Sequence, residues 1–553
     1  MNPMNKLAIK GFLFLFPCIC FAQSTKRLSL SDAIILAVEN NYDIQKQQYA
    51  VASARGQYHQ AAGALDVELG AQAQYSMRQN PVDQKDPRYA YSFSSLQPKT
   101  SYGIYSDNTL SHQTGGSLFA KKLFSFGLET KLSYTLQRNH DFPDYTYGAN
   151  FNSALYSKYA QERGRNTGQI ALELTLPLFK SFKNSMANLQ IEAAKENLEA
   201  MECSLNDAIS QAIINVSKQY WNYYQTFKNV ERITEMQKKI EERNNRMDSL
   251  IKAGIRSKND LLAMQVNVNE NRRQLQDAQV QYRQAKMELL TVLGITDHNA
   301  IGDPDDPFKT VNLREIVPPS ATDMNEEFFA YIEEHRSDLR SLKKHSEALQ
   351  KKMKMSDVDR FPDVNLNFGV GTTGTTYSDE FLKAITAGFW NNAGVNINGA
   401  ISVSAKIGNN AKTGAWEQAE AEYNQSLTDY NKAKNTLVLQ INNATDKLNI
   451  YRAEYSDADE VLDLQKNLYD NEQQRFNAGL TTIDNLLQQD QKYIAAEASY
   501  YQVLVNYLQA ILEYKYYTSS LVEVDTTSAF EAKDLYTKSA EREPEEESKK
   551  EKN

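Results

Sequence analysis

Ala253-Gly254-Ile255-Arg256-Ser257-Lys258-Asn259-Asp260-Leu261-Leu262 returns without a gap as Ala478-Gly479-Leu480-Thr481-Thr482-Ile483-Asp484-Asn485-Leu486-Leu487. No Gly or Pro stands between Leu178 and Ala253, and only Gly414 lies between Asn409 and Ala478. A long helix, a Gly turn and a second helix make a helical hairpin. Two copies of that hairpin make the chain a structural duplication.

The helices leading to the turns carry a seam. Leu437, Ile441, Ala444, Leu448, Tyr451, Tyr455, Ala458 and Leu462 follow alternating steps of four and three, and Ile209, Ile213, Val216, Tyr220, Tyr223, Phe227 and Val230 do the same. That period of 3.5 is the coiled-coil value. A helix from Asn184 to Ala253 would run roughly 100 Å at 1.5 Å per residue. Ser29-Leu30-Ser31-Asp32 is a capping-box pattern opening a helix to about Ala62, with a joint at Asn40-Asn41. Shorter helices are expected at 256–293, 325–357 and 482–518.

Elsewhere the period changes to two. Val67, Leu69, Ala71, Ala73 and Tyr75 alternate with polar residues, as do Ile170, Leu172, Leu174, Leu176 and Leu178. Val364, Leu366, Phe368 and Val370 repeat the pattern, and so do Val395, Ile397, Ile401 and Val403. These are four strands with one apolar and one polar face, two in each repeat, each about the length that crosses a membrane at a tilt. A soluble sheet would need another layer over its apolar side, and no spare amphipathic element is available for it. Between the first two strands lies an insertion at about 79–166, assigned to the extracellular side. Leu128, Thr130, Leu132, Tyr134 and Leu136 alternate within it, so it is either a folded loop or a further hairpin extending the barrel.

The 553 residues carry a net charge of −9 and no basic block, which gives nucleic acid no footprint. Lys6 and Lys10, the apolar stretch from Gly11 to Phe21 and the small residues Cys20 and Ala22 read as a secretory signal over 1–22. A lipoprotein signal would need small residues before Cys18 or Cys20, where Pro17 and Ile19 stand. Cys203 would then be the one remaining thiol, so no internal disulfide is expected. The first repeat spans 23–298, with strands at about 65–78 and 168–179 and its tip at 253–260. A connector marked by Gly302-Asp303-Pro304 and Pro318-Pro319 occupies 299–324. The second repeat spans 325–525, with strands at about 363–373 and 393–405 and its tip at 478–485. A charged tail follows at 526–553.

These features together resemble the TolC-like outer-membrane efflux proteins of Gram-negative bacteria, over about 28–521. The specific matches are the two Ala-Gly tips, Leu28-Ser29-Leu30-Ser31-Asp32-Ala33-Ile34 with Asn40-Asn41, and Leu176-Pro177-Leu178-Phe179 at a strand-to-helix junction. The resemblance implies a mixed α and β membrane protein. Each protomer would contribute four transmembrane strands and long coiled helices to a homotrimer, with a twelve-stranded barrel in outer-membrane lipid continued by a periplasmic helical barrel. It further implies a periplasmic adaptor (a membrane fusion protein) and, through it, an inner-membrane transporter.

By the same resemblance Ala253, Gly254, Ile255 and Ser257, with Ala478, Gly479, Leu480 and Thr482, form adaptor-contact tips. Constriction candidates are Arg256, Lys258, Asp260, Asp484, Asn485 and Gln488. The second tip departs from the family pattern: Phe476 replaces a Tyr, Thr481 an Arg, and Asn485 and Gln488 replace aspartates. Asp484 and Asp490 stand one or two positions away on other helix faces. The junction at Ala405-Lys406-Ile407-Gly408-Asn409-Asn410 also lacks the Pro-Leu-Phe pattern. His59, His112, His140, His298, His335 and His345 show no metal-ligand spacing, and no catalytic motif or cofactor loop is present. The expected function is a passive channel-tunnel for small-molecule efflux, with type I protein secretion as a variant. A coiled-coil envelope spacer or adhesin is the competing class, and it leaves the paired strands unexplained.

Overall fold

The computed structural model describes residues 27–81, 105–146, 165–182, 185–252, 254, 257–305, 326–377 and 393–518. The expected signal at 1–22 and tail at 526–553 lie outside these residues, as does most of the connector. The chain divides into two compact units, Met1–Gln47 with Leu205–Arg336 and Lys434–Asn553, and Gln48–Ser204 with Ser337–Ala433. Each unit draws on both repeats.

The second of these units holds the sheet. Its strands are β1 (Val67–Pro81), β2 (Tyr105–Leu123), β3 (Glu129–Thr146), β4 (Arg165–Pro177), β5 (Asp363–Tyr377) and β6 (Ala393–Ser404). They pair antiparallel in the order β1-β2-β3-β4-β5-β6. The four anticipated strands are β1, β4, β5 and β6. Among the described residues the sheet therefore has six strands rather than four. The pairing shows why: β1 meets β2 from Val67↔Lys122 onward, and β3 meets β4 from Glu129↔Thr175 onward, so the hairpin runs alongside both neighbours. Of the 79–166 insertion, residues 82–104 and 147–164 lie outside the described residues. The described rest of it is a strand hairpin paired into the sheet, not a loop.

Register gives the sheet two chemically distinct faces. Leu69, Leu118, Leu132, Leu172, Val370 and Ile397 share one side, through the pairs Ala71↔Leu118, Leu132↔Leu172, Leu172↔Val370 and Val370↔Ile397 and the period of two. The other side bonds laterally through Thr175–Asn367 (3.1 Å), Asn396–Thr373 (2.8 Å) and Lys131–Glu173 (3.3 Å). At Gly70 a Cβ would lie 2.2 Å from the Phe119 ring on the facing strand, so only glycine lets that ring lie flat on the polar side.

Four helices meet this sheet in the same unit: the end of α2 (Tyr42–Ala62), the start of α3 (Met186–Lys252), α6 (Ser337–Asp359) and the start of α7 (Asn410–Asn477). α3 and α6 are joined by Lys344 to Glu196 (2.7 Å) and Glu199 (2.9 Å), and by Lys351 to Glu192 (2.7 Å). At the junctions Phe182 (φ 56°), Gly408 (φ 87°) and Asn409 (φ 39°) take left-handed backbone. The second crossing thus turns on Gly408-Asn409, where the first has Pro177 and Phe182. Lys180 bridges Asp359 (2.8 Å) and Asp363 (2.5 Å), and Lys412 also reaches Asp359 (3.2 Å).

The other unit contains α1 (Leu30–Asn40), α4 (Lys258–Leu293), α5 (Glu326–His335), α8 (Ile483–Tyr517) and the remaining lengths of α3 and α7. Ser29 caps α1 by accepting from the Asp32 amide (3.0 Å), and Asn41 separates α1 from α2. The core gathers Leu30, Ile34, Tyr220, Trp221, Leu289 and Leu508, all at most 2% exposed. Tyr220 donates to the carbonyls of Leu28 (3.0 Å) and Asp305 (3.1 Å), tying the connector to α3. Tyr282 donates to Asp303 (2.7 Å) and lies 2.9 Å from the Tyr223 hydroxyl, which burial pushes up to about 12. These phenols remain protonated at any physiological pH.

Burial opposes the charge on Lys180, but its hydrogen bonds to Asp359 and Asp363 outweigh this and leave the ammonium above the ordinary lysine value. For Asp359, burial pushes up and the bonds from Lys180 and Lys412 outweigh it, so the carboxyl sits below its ordinary value. A lowered carboxyl contributes stability above its unfolded value of about 4, lost as pH falls through the folded value. A raised lysine contributes below about 10, lost as pH rises through its folded value. Thermal unfolding in detergent should therefore be flat between these limits and decline at acid pH. Lys180→Met should lower the midpoint at pH 7 and shrink the acid decline. An acid decline identical to that of the parent chain would show that this cluster carries none of it.

Candidate functional site

The two tip glycines take the same backbone for the same reason. Gly254 (φ 76°) and Gly479 (φ 75°) both take the left-handed conformation that ends α3 and α7. Their amides donate to Ile251 (2.9 Å) and Phe476 (3.0 Å), which occupy equivalent places in the repeat. Ser257 then caps α4 in a full capping box, its hydroxyl accepting from the Asp260 amide (3.2 Å) while its own amide donates to the Asp260 carboxylate (3.2 Å). Thr482 caps α8 by accepting from the Asn485 amide (3.3 Å). Ala253, Ile255 and Arg256 lie outside the described residues.

This geometry sorts the constriction candidates. The Asp260 carboxylate is engaged in closing its own helix. Asn485 donates to Thr481 (3.2 Å), and Thr481 in turn bonds Glu472, which pairs with Arg475 (3.1 Å). Lys258, Asp484 and Gln488 are exposed. So is Leu480, at 71%, beside the exposed Ala478 and Gly479. Leu480 is thus a bare leucine on a turn held by a glycine and a cap.

Behind the tips the two hairpins share a core of Met236, Ile240, Met247, Met264, Phe476 and Leu486. Phe476 is 8% exposed in it, which accounts for an aromatic without a hydroxyl at that place. Inside the same packing sits an ion pair. Arg243 of α3 donates to both carboxylate oxygens of Asp490 on α8 (2.5 and 3.2 Å) and to the Tyr469 hydroxyl on α7 (3.1 Å). The Asp490 side chain is fully buried and that of Arg243 10% exposed. The grip thus joins the first-repeat hairpin to both helices of the second. Arg243 and Tyr469 were not singled out from the sequence, and Asp490 only as a carboxylate off the ring. The signal was present: Arg243 falls in the stripe Met236, Ile240, Met247, and Asp490 in Ile483, Leu486, Ile494. Opposite charges at two apolar-seam positions call for each other.

The sheet completes the arrangement. Its edge strands β1 and β6 are bare, with Leu69 78%, Tyr75 64%, Ile397 70% and Val403 67% exposed. Its polar side is built mainly from Gln, Asn, Ser and Thr, with the paired charges Lys121–Glu129 and Lys131–Glu173 near the β2–β3 turn. No group of three His, Cys, Asp or Glu residues could hold a metal ion among the described residues, and no described helix is long and apolar enough to cross a membrane.

The profile of outer membrane efflux proteins matches residues 130–295 and 331–513. The chain belongs to that family. Its fold is that of outer-membrane channels of known structure. The Campylobacter jejuni CmeC outer membrane channel aligns with a TM-score of 0.58 at 15% identity, over 89% of this chain and 85% of that one. The open state of the Neisseria gonorrhoeae MtrE outer membrane channel gives 0.59 at 14% identity, over 90% and 91%. A membrane protein from Pseudomonas aeruginosa gives 0.58 at 15%, over 88% and 92%. No curated protein matches this chain. Family and fold make it an outer-membrane efflux channel.

Removing one half of a buried pair leaves an uncompensated charge, at a cost of about 3–5 kcal/mol, while replacing both halves by apolar groups is often close to neutral. Asp490→Ala should therefore lower the unfolding midpoint strongly and speed amide exchange in α8. Arg243→Met combined with Asp490→Leu should restore most of both. A double variant as unstable as the single one would refute the compensation.

Proposed function

We propose that three copies of the chain assemble into a passive exit duct of a tripartite exporter, through the outer membrane of a Gram-negative bacterium and into its periplasm. The observation that carries this is the sheet with two bare edges and one apolar face. Lipid tolerates no unpaired strand edge, so β6 of one copy must find β1 of the next. The helices carry matching stripes. Leu262, Val266 and Val280 on α4 are 57–61% exposed, and Leu439 (69%) and Ile450 (57%) on α7 are exposed too. Stripes of that size on helices of a single copy favour burial against neighbouring copies.

The tips are the docking points for a periplasmic adaptor, which couples the duct to an inner-membrane transporter. Leu480 enters an apolar groove on the adaptor, and Gly479 keeps the backbone low enough to permit it. Gly254 and Ser257 hold the first tip in the same shape. Energy comes from the transporter. Small molecules are the principal cargo; polypeptides of type I secretion are the variant.

Reconstitution in a planar bilayer, with and without a candidate adaptor, tests the duct directly. Discrete conductance steps that change on adding the adaptor are expected. A detergent-free soluble monomer with no conductance would end the proposal. Leu480→Asp should weaken capture of the adaptor at least tenfold, the loss expected of an apolar anchor worth about 1.4 kcal/mol or more. Conductance of the channel alone should be unchanged. Undiminished capture would remove Leu480 from the contact.

A further inference from the structure

We infer that the β2–β3 hairpin is part of the lipid-facing wall, so that each copy supplies six strands and the pore is half again as wide as four strands per copy would make it. This rests on the closed-ring reading proposed above.

Within the hairpin, β3 carries the same code as β4 beside it. On β3, Leu132, Tyr134 and Leu136 pair with Leu172, Ile170 and Gly168 on the apolar side, while Ser133, Thr135 and Gln137 pair with Ala171, Gln169 and Thr167 on the other. A flap lying in water would have no cause to keep its alternation in phase with a membrane strand. Charges on the polar side pair off beside the β2–β3 turn, Lys121 with Glu129 (3.2 Å) and Lys131 with Glu173 (3.3 Å).

The turn of the hairpin is anchored at the membrane edge. Phe126 stacks on Phe124 (5.7 Å) and on Phe182 (6.0 Å), and the Phe126 carbonyl accepts from the Phe182 amide (2.7 Å). Phe179 stacks on Phe361 (6.2 Å) at the neighbouring junction. Phe126, Phe179, Phe182 and Phe361 are 38–65% exposed. A band of bare aromatic rings where strands give way to helices marks a membrane interface, and the hairpin turn lies within it.

Widths agree with this placement. At 4.8 Å spacing and a tilt near 40°, six strands occupy about 38 Å of circumference and four about 25 Å. The four helices meeting the sheet in this unit need about 32–40 Å at 8–10 Å each. Six strands match that width more nearly than four. Three such copies enclose an eighteen-stranded, water-filled passage. The membrane section is then not the size filter, and bulky, polar or chain-like cargo passes it.

The test uses the full chain with Cys203→Ala, reconstituted in lipid vesicles. Single cysteines at Leu132, Ser133, Thr135 and Leu136 of β3, and at Ala71, Gln72, Ala73 and Gln74 of β1, are exposed to a charged, membrane-impermeant thiol reagent. Expected is fast labelling at Ser133 and Thr135, with at least tenfold slower labelling at Leu132 and Leu136. Equal labelling at all four β3 sites, with alternation kept on β1, would overturn the inference and leave the duct standing. Loss of alternation on both strands would instead mean that there is no membrane barrel. Imaging the assembled channel gives the second readout: a wall about 36 Å across at its centre line, against about 24 Å for twelve strands, a 1.5-fold difference. The smaller value would overturn the inference even if labelling alternates.

Discussion

A backbone amide in lipid has no water to bond, and a sheet edge is a row of such amides. That constraint governs this chain. Within one protomer, five strand pairings satisfy the interior of the sheet, and β1 and β6 keep their outward groups. An apolar side, a polar side and two free edges have one economical resolution: the edges meet around a ring, with the polar side facing water. Inserting a hairpin between β1 and β4 leaves that logic intact, because a hairpin adds two strands and returns the chain in the direction it needs. A single strand would have reversed every later crossing. An insertion in a barrel therefore comes in pairs, and this one obeys the rule.

The helices solve a different problem with different means. Long coiled seams of similar residues can slip by a turn, and propensity alone does not forbid it. Buried polar groups specify register, at some cost in stability. Here Arg243, Asp490 and Tyr469 occupy seam positions on three helices, and only one alignment brings them together. Asn271 donating to Gln237 (2.7 Å) between α4 and α3 adds a second, neutral register mark. The tips beyond are stiffened by left-handed glycines and hydroxyl caps, which fix the turn without covering Leu480.

Most of the architecture could be read from periodicity. Steps of three and four gave the helices and steps of two gave β1, β4, β5 and β6, because each pattern reflects a face set by backbone geometry. Ser29 and Asn41 announced their roles by the chemistry of caps. The hairpin was half legible. β3 alternates clearly, but β2 carries Gly116, Thr114 and His112 on its apolar side, so its period is blurred. The closing residues were the least legible, since whether a carboxylate faces a lumen or a core depends on which helix packs against it. Asp260 turned inward to its own cap, and Asp490 turned to Arg243. Neither fact is written in the local pattern, although the pair of charges in two apolar stripes was.

The same reasoning separates what the tips share from what they do not. Ser257 and Thr482 occupy one structural role, as do Gly254 and Gly479, so the repeat is under the same backbone demand twice. Asp260 and Asn485 also correspond, and only the first returns a carboxylate to its cap; the second bonds Thr481 instead. The first tip is held by a closed two-bond box. The second is held by a chain of side chains from Asn485 through Thr481 to Glu472. A box is local and survives movement of its neighbours, whereas the chain links α8 back to α7 across the turn.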